Sequence, residues 1–370
     1  MTVRKNACCW DCCAPMAPEA RYRQNPNEMN SVPESQARGG MRGLLDKLDA
    51  MLGVGDAAVL GIVVATEGST YQKPGALVLL GREALHHGVI SGGCLEGDLL
   101  QRAQAVFDSG RAALVDFDTR SDEDLVFGSG TGCRGRVHLL LLPQPRGAPL
   151  AQALRQATND GVALILTVAL EGETIGAGEA AIAEPESAKG EWCWDASGAA
   201  QSAAAAGPRI QLQLAPPPRV LLLGAGPETP ALLDFMRHFS WFVTVVEHRG
   251  RWSAFASAER ADGVLALPPS AAIDALAAQR FDAAIAMSHN YAIDAQYLRF
   301  CAQRPIAYVG LLGPPARRDA LLAELGADAD PLRSRLHAPV GLDLGGSGPE
   351  PIALAIVAEL QRFFANMARG

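Results

Sequence analysis

Two glycine-rich stretches of this chain each present a single cysteine. The first runs Gly88-Val89-Ile90-Ser91-Gly92-Gly93-Cys94-Leu95-Glu96-Gly97-Asp98, and the second Gly128-Ser129-Gly130-Thr131-Gly132-Cys133-Arg134-Gly135. Paired glycines let the backbone approach a bound group closely. Helix starts and arginines favour the thiolate form of a nearby cysteine. Loop amides, two thiols and one guanidinium together suit an anionic ligand containing sulfur or metal. Gly92, Gly93, Cys94, Glu96, Cys133 and Arg134 are therefore candidate ligand contacts. Burial is the commoner fate of a thiol, and Cys193 and Cys301, which lack such a setting, read as structural. Neither loop cysteine has a His/Asn partner motif, which argues against a papain-like hydrolase.

Three further motifs lie in the second half. Gly224-Ala225-Gly226 sits between an apolar strand pattern and a helix pattern, as a dinucleotide fingerprint requires. Glu247 follows about twenty residues on, where an acid would bind a ribose hydroxyl. The third glycine is replaced by Thr229, flanked by Pro227 and Pro230. This supports the fold and a nucleotide of some kind, and argues against an extended pyrophosphate and an NAD-dependent reaction. Ser288-His289-Asn290 follows another strand, and ligands of open parallel sheets bind beyond the carboxyl ends of strands. His289 and Asn290 are candidates on that ground, although Asn290 is also a good helix N-cap type. Gly310-Leu311-Leu312-Gly313-Pro314-Pro315-Ala316-Arg317-Arg318 repeats the design, with Arg317 or Arg318 able to reach a phosphate or carboxylate.

The elements that position these groups divide at Pro216-Pro217-Pro218, a stiff linker. Before it, from Met41, the pattern is mixed: a helix to about Gly53, strands at 59–65, 77–80, 113–117, 137–142 and 163–170, and helices at 95–107 and 150–158. The alanine-rich stretch 171–214 reads as the remaining strands and loops of the same α+β domain. After the linker, strands at 219–223, 242–246, 264–267, 283–287 and 306–311 alternate with helices, which predicts a doubly wound parallel sheet. The expected organisation is a disordered extension over 1–40, an α+β domain over 41–215 and a Rossmann-like domain over 219–370. The doublets in Cys8-Cys9-Trp10-Asp11-Cys12-Cys13 have no second cluster at finger spacing, so they read as part of that tail and not as a zinc site.

The 370 residues predict two or three domains. A share of 49% hydrophobic and 19% charged residues is an ordinary globular balance. A net charge of −8 gives no global field attractive to nucleic acid or an anionic membrane. No apolar run is long enough to span a bilayer, and no apolar core follows the basic N-terminal residues. These features predict a cytoplasmic location with mostly reduced cysteines.

Ser91-Gly92-Gly93-Cys94-Leu95-Glu96-Gly97, Gly130-Thr131-Gly132-Cys133, Ser288-His289-Asn290, Tyr308-Val309-Gly310-Leu311-Leu312-Gly313 and Pro339-Val340-Gly341-Leu342-Asp343-Leu344-Gly345, in this order, resemble the xanthine dehydrogenase accessory factors of the XdhC/CoxI type. The resemblance covers Met41 to the C-terminus. It implies an N-terminal XdhC/CoxI-type domain, a C-terminal Rossmann domain and an accessory factor, not an enzyme. It further implies binding and protection of molybdenum cofactor, of molybdopterin type. It implies support of the cofactor's sulfuration by a cysteine desulfurase, and delivery to a molybdenum hydroxylase such as xanthine dehydrogenase. Carried over, Cys94 and Cys133 become candidate metal or sulfur contacts, and Gly224, Gly226, Glu247, His289, Asn290, Arg317 and Arg318 candidates for the phosphate or nucleotide. A homodimer is expected, since partner-handling proteins often form symmetric ones. The competing readings are an NAD(P)-dependent oxidoreductase with His289 as acid or base, and a structural adaptor.

Overall fold

The structure is a computed structural model that describes residues 39–91, 95–120, 135–183, 192–201, 208–256 and 259–367. Helix α1 (Gly40–Val54) places Leu44, Leu45, Leu48 and Met51 on one face and stops at Gly55. The φ of 87° at Gly55 makes a left-handed cap, which glycine adopts without strain. Strand β1 (Val59–Gly68) follows, then β2 (Leu77–Leu80), β3 (Leu85–His87), α2 (Glu96–Ser109), β4 (Ala113–Asp118) and β5 (Gly135–Pro143). These strands form an antiparallel sheet in the order β3-β2-β1-β5-β4. Helix α3 (Pro149–Asp160) leads to β6 (Leu164–Ala169), β7 (Gly178–Ile182), β8 (Trp192–Trp194) and β9 (Arg209–Leu214). The last four build a second antiparallel sheet, β8-β7-β6-β9.

Side-chain alternation along β1 assigns the two faces of the first sheet. Leu60, Ile62 and Val64 join α1, α3 and the second sheet in one core that includes Leu48, Leu142, Leu154, Leu166 and Trp194. Val59 and Val63 join α2 in another, with Leu99, Val106, Leu139 and Leu141. Trp194 is fully buried, and its indole N–H donates to the Gly176 carbonyl at 2.8 Å. The one polar atom of that side chain is thereby satisfied inside the core.

Beyond the prolines the chain continues through β10 (Arg219–Leu223), α4 (Thr229–His238), β11 (Phe242–Val246), a single turn α5 (Gly250–Ser253), β12 (Gly263–Leu265), α6 (Pro269–Leu276), β13 (Ala283–Ala286), α7 (Tyr291–Ala302), β14 (Tyr308–Leu311), α8 (Pro315–Leu325), β15 (Leu336–His337) and α9 (Pro349–Met367). The six strands are parallel, in the order β12-β11-β10-β13-β14-β15. This is the doubly wound order, whose direction of winding reverses between β10 and β13. The strands are apolar on both faces, as a covered parallel sheet demands. Leu221, Leu223, Ala284 and Val309 pack under α6, α7 and α8, while Val220, Leu222 and Ile285 pack under α4 and α9. Among the described residues no helix is long and apolar enough to cross a membrane.

Candidate functional site

In the N-terminal half, Gly92, Gly93, Cys94, Cys133 and Arg134 lie outside the described residues. The residues that flank them are described and lie at one end of the first sheet. β1 finishes there at Glu67 and Gly68, opposite Arg136 and Gly135 of β5. Gly135, the last residue of the second stretch, is joined to Thr119 by the Thr119 N–H to Gly135 carbonyl bond at 2.9 Å and by the Thr119 hydroxyl to the same carbonyl at 2.9 Å. An ionic lattice surrounds this end: Arg120 pairs with Glu67 and Asp118, and Arg136 with Asp116.

Glu96 does not present its carboxylate outward. It folds back on the chain before α2 and accepts the Ser91 N–H at 2.9 Å, the Ile90 N–H at 3.2 Å, the Leu95 N–H at 3.1 Å and the Ser91 hydroxyl at 2.7 Å. Burial opposes its charge, but the Ser91 hydroxyl and these amides outweigh burial and hold its pKa below the ordinary value. These bonds clamp the chain just before α2.

In the C-terminal half, the loops after β10 and β13 meet where the winding reverses. A Cβ on Gly224 would stand 2.4 Å from Cα of Ser288, and Gly224 adopts φ 111°. Only glycine permits this close crossing. His289 holds φ 53°, a conformation uncommon outside glycine. Its ring stacks on Trp252 with centroids 5.8 Å apart, and its Nε2 lies 3.0 Å from Oε1 of Glu228. Glu228 is 3% exposed, whereas the His289 side chain is 41% exposed. The Glu228 carboxylate raises the His289 pKa above its ordinary value, against a smaller opposing effect of burial.

Two expected ligand groups have internal partners instead. Glu247, 1% exposed, accepts the Ala225 N–H at 3.0 Å and the Arg249 N–H at 2.8 Å, and its two oxygens take the Arg249 guanidinium at 2.8 and 2.6 Å. Burial works against its charge, but Arg249 and the Ala225 amide prevail and lower its pKa. Both of its oxygens are thus engaged within the protein. Asn290 accepts the Ile293 N–H at 3.1 Å and caps α7, so the capping role is the one its side chain performs.

Arg317 and Arg318 part company. Arg318 donates to the Ala338 carbonyl at 2.9 Å and to Asp319 at 2.8 Å. Arg317, in the first turn of α8, pairs with Asp294, which is fully buried and also accepts the Ser288 N–H at 3.1 Å. The Nε of Arg317 is buried without a partner among the described residues. A buried donor in that state is an exception to the usual pairing, of the kind met by a water or an ion. Cys301 is fully buried, and burial pushes its thiol up to about 12, which fits the structural reading. Glu228, Arg249, Trp252 and Asp294 were not visible as site residues in the motifs alone. Glu228 stands inside the fingerprint and Arg249 two residues past its acid, which is the signal that was there to be found.

Comparison with known proteins adds to this geometry. A family profile described as the XdhC and CoxI family matches residues 52–118, and one described as the XdhC Rossmann domain matches residues 220–360. A protein of Bacillus subtilis (strain 168), named as a probable xanthine dehydrogenase subunit, is 29% identical over 327 residues, covering 85% of this chain and 95% of that protein. A crystal structure described as a xanthine dehydrogenase from Bacillus halodurans superposes with a TM-score of 0.68 at 28% identity, over 87% of this chain and 96% of that one. The two profiles together take in more than half of the chain, one in each half, and the relatives match nearly end to end: the chain belongs to the XdhC and CoxI family of xanthine dehydrogenase accessory factors.

Proposed function

We propose that this chain binds molybdenum cofactor, supports its sulfuration by a cysteine desulfurase and delivers it to a xanthine dehydrogenase-like molybdenum hydroxylase, with residues 41–215 and 219–370 as its two domains. The observation that carries the reading is the pair of family matches, one in each half, alongside relatives named for xanthine dehydrogenase. The bound cofactor would bring a dithiolene-held molybdenum and a phosphate. On the protein side, the unpartnered Nε of Arg317 fits a phosphate oxygen. Asp294 fixes the guanidinium from behind, so its free donor is oriented before any ligand arrives. His289, whose pKa Glu228 raises, adds a second group that can hold or release a proton at Nε2. Among the described residues there is no cluster of three His, Cys, Asp or Glu suited to a metal ion. As the family resemblance implies, the reading keeps contact with the metal or its sulfur at Cys94 and Cys133.

The test is anaerobic binding of molybdenum cofactor, with metal and pterin quantified together. Wild type is expected to bind near stoichiometrically. Arg317→Met should weaken pterin and metal binding together by about tenfold, the loss of one charge-assisted contact. Cys94→Ser and Cys133→Ser should lower the metal bound per pterin. A folded wild-type protein that binds no cofactor overturns the proposal.

A further inference from the structure

The fingerprint loop after β10 has the chain position of a diphosphate cradle, yet each feature that would serve a diphosphate already has an occupant from the protein. In a dinucleotide site the loop amides point at the pyrophosphate, and the second glycine clears space for its oxygens. Here the Ala225 N–H is held by Glu247, and the Gly226 N–H donates to the Thr229 hydroxyl at 2.8 Å. The space over Gly226 is filled as well. A Cβ at that position would stand 2.5 Å from Nε2 of His289 and 2.6 and 3.0 Å from the two carboxylate oxygens of Glu228. The glycine is therefore required by an internal carboxylate–imidazole pair. That pair bridges the two loops at the winding reversal and fills with its own carboxylate and imidazole the place where a diphosphate would lie.

We propose that Glu228 is a specificity-determining residue: its carboxylate, seated over Gly226 and anchored by His289, closes this crevice to ligands that carry a diphosphate. Thr229 contributes by satisfying the Gly226 amide, but a hydroxyl can turn aside, whereas a buried carboxylate repels the phosphate charge at any orientation. The groups facing Glu228 offset that repulsion only in part. His289 is its direct partner, Arg249 is engaged by Glu247, and Arg317 by Asp294. The exclusion concerns this crevice alone and does not require that the chain binds molybdenum cofactor.

The probe is ADP-ribose, with NAD+ as a second diphosphate and adenosine as the uncharged control, measured by titration calorimetry on the full chain. Wild type is expected to show no saturable binding of ADP-ribose into the millimolar range. Glu228→Gln keeps the size and hydrogen-bonding capacity of the side chain and removes its charge. It should bind ADP-ribose and NAD+ at least about tenfold more tightly than wild type, with adenosine unchanged. Glu228→Gly, which also clears the space, should gain further. Micromolar binding of ADP-ribose by the wild type would overturn the proposal without any variant. Failure of both variants to gain affinity, with circular dichroism showing them folded, would remove Glu228 as the determinant.

Discussion

His289 combines a left-handed backbone conformation, a stacked indole and a buried carboxylate partner. Unusual backbone conformations of this kind persist where surrounding contacts over-determine them. Here the contacts are Glu228 at the ring and the crossing of Gly224 with Ser288 just before it. The charges around the ring define its titration. Glu228 and Asp294 favour the imidazolium, and burial and Arg249 oppose it, with Glu228 dominant. The folded pKa lies above the ordinary value of 6.5. The pair therefore contributes stability that is complete below that value and is lost as pH rises through the folded one. Glu228→Gln should bring the His289 pKa back down to 6.5 or below, since burial then acts with little opposition. An NMR titration of the imidazole, assigned with His289→Asn, checks this; an unchanged pKa in Glu228→Gln would show that the pair is not what holds the charge. At this scale the sequence was only partly legible. Strand-end position pointed to His289, and the structure sets its ring against Glu228 of the loop after β10. Position could not show that Asn290 turns to its own helix or that Glu247 meets Arg249, because both outcomes depend on side-chain partners that spacing does not encode.

At the scale of elements, periodicity carried further. Each helix and strand expected around the motifs exists with ends shifted by a few residues, because alternating and 3.6-residue apolar patterns survive in the packed cores. Strand β15, Leu336–His337, offered too short a pattern to read, and it is defined by pairing with β14. In 171–214 the strands are short, and their identity as a separate sheet comes from β7 and β9 pairing with β6 and β8 with β7. The junction into α2 shows how one side chain sets an element boundary. Leu95, before the helix, has no capping side chain of its own, and Glu96 at the helix start supplies the acceptor for the amides that precede it. Charge-assisted bonds to a carboxylate are about twice as strong as neutral ones. Glu96→Gln should therefore speed hydrogen exchange at Ser91 and Leu95 several-fold while leaving the interior of α2 protected. The wild-type clamp should loosen in acid. Its carboxyl pKa is depressed below 4.5, so its contribution is present above that value and is lost as pH falls through the folded one. Exchange rates at Ser91 and Leu95 that match in wild type and Glu96→Gln would remove the clamp.

For the whole molecule, the question is what ties the antiparallel sheets to the parallel one across the proline linker. The geometry centres on Arg42. It lies on α1, is 7% exposed, and donates to the Trp241 carbonyl at 2.8 Å and to both oxygens of Asp262. Its guanidinium lies 3.8 Å from the centroid of the Phe242 ring, and Arg219 approaches that ring at 4.6 Å. Arg219 in turn donates to the carbonyl of Asn159 at the end of α3. Two arginines thus fasten helices α1 and α3 to the first turns of the parallel sheet. Pairs this buried are weak evidence of net stability when both partners are considered, but removal of one partner leaves the other charge uncompensated. Arg42→Met keeps an apolar stem over Phe242 and takes the guanidinium from Asp262, to which the Val243 N–H still donates at 2.9 Å. The expected cost is about 3 kcal/mol, read as a lower urea midpoint. The double variant Arg42→Met, Asp262→Asn should recover part of that loss, because the carboxylate charge goes with it. Limited proteolysis gives an independent readout. If Arg42 couples the two halves, Arg42→Met should become susceptible near Pro216–Pro218 before either half is degraded. Wild-type stability and an uncut linker in Arg42→Met would show instead that the apolar contacts around α1 hold the halves together without the ionic junction.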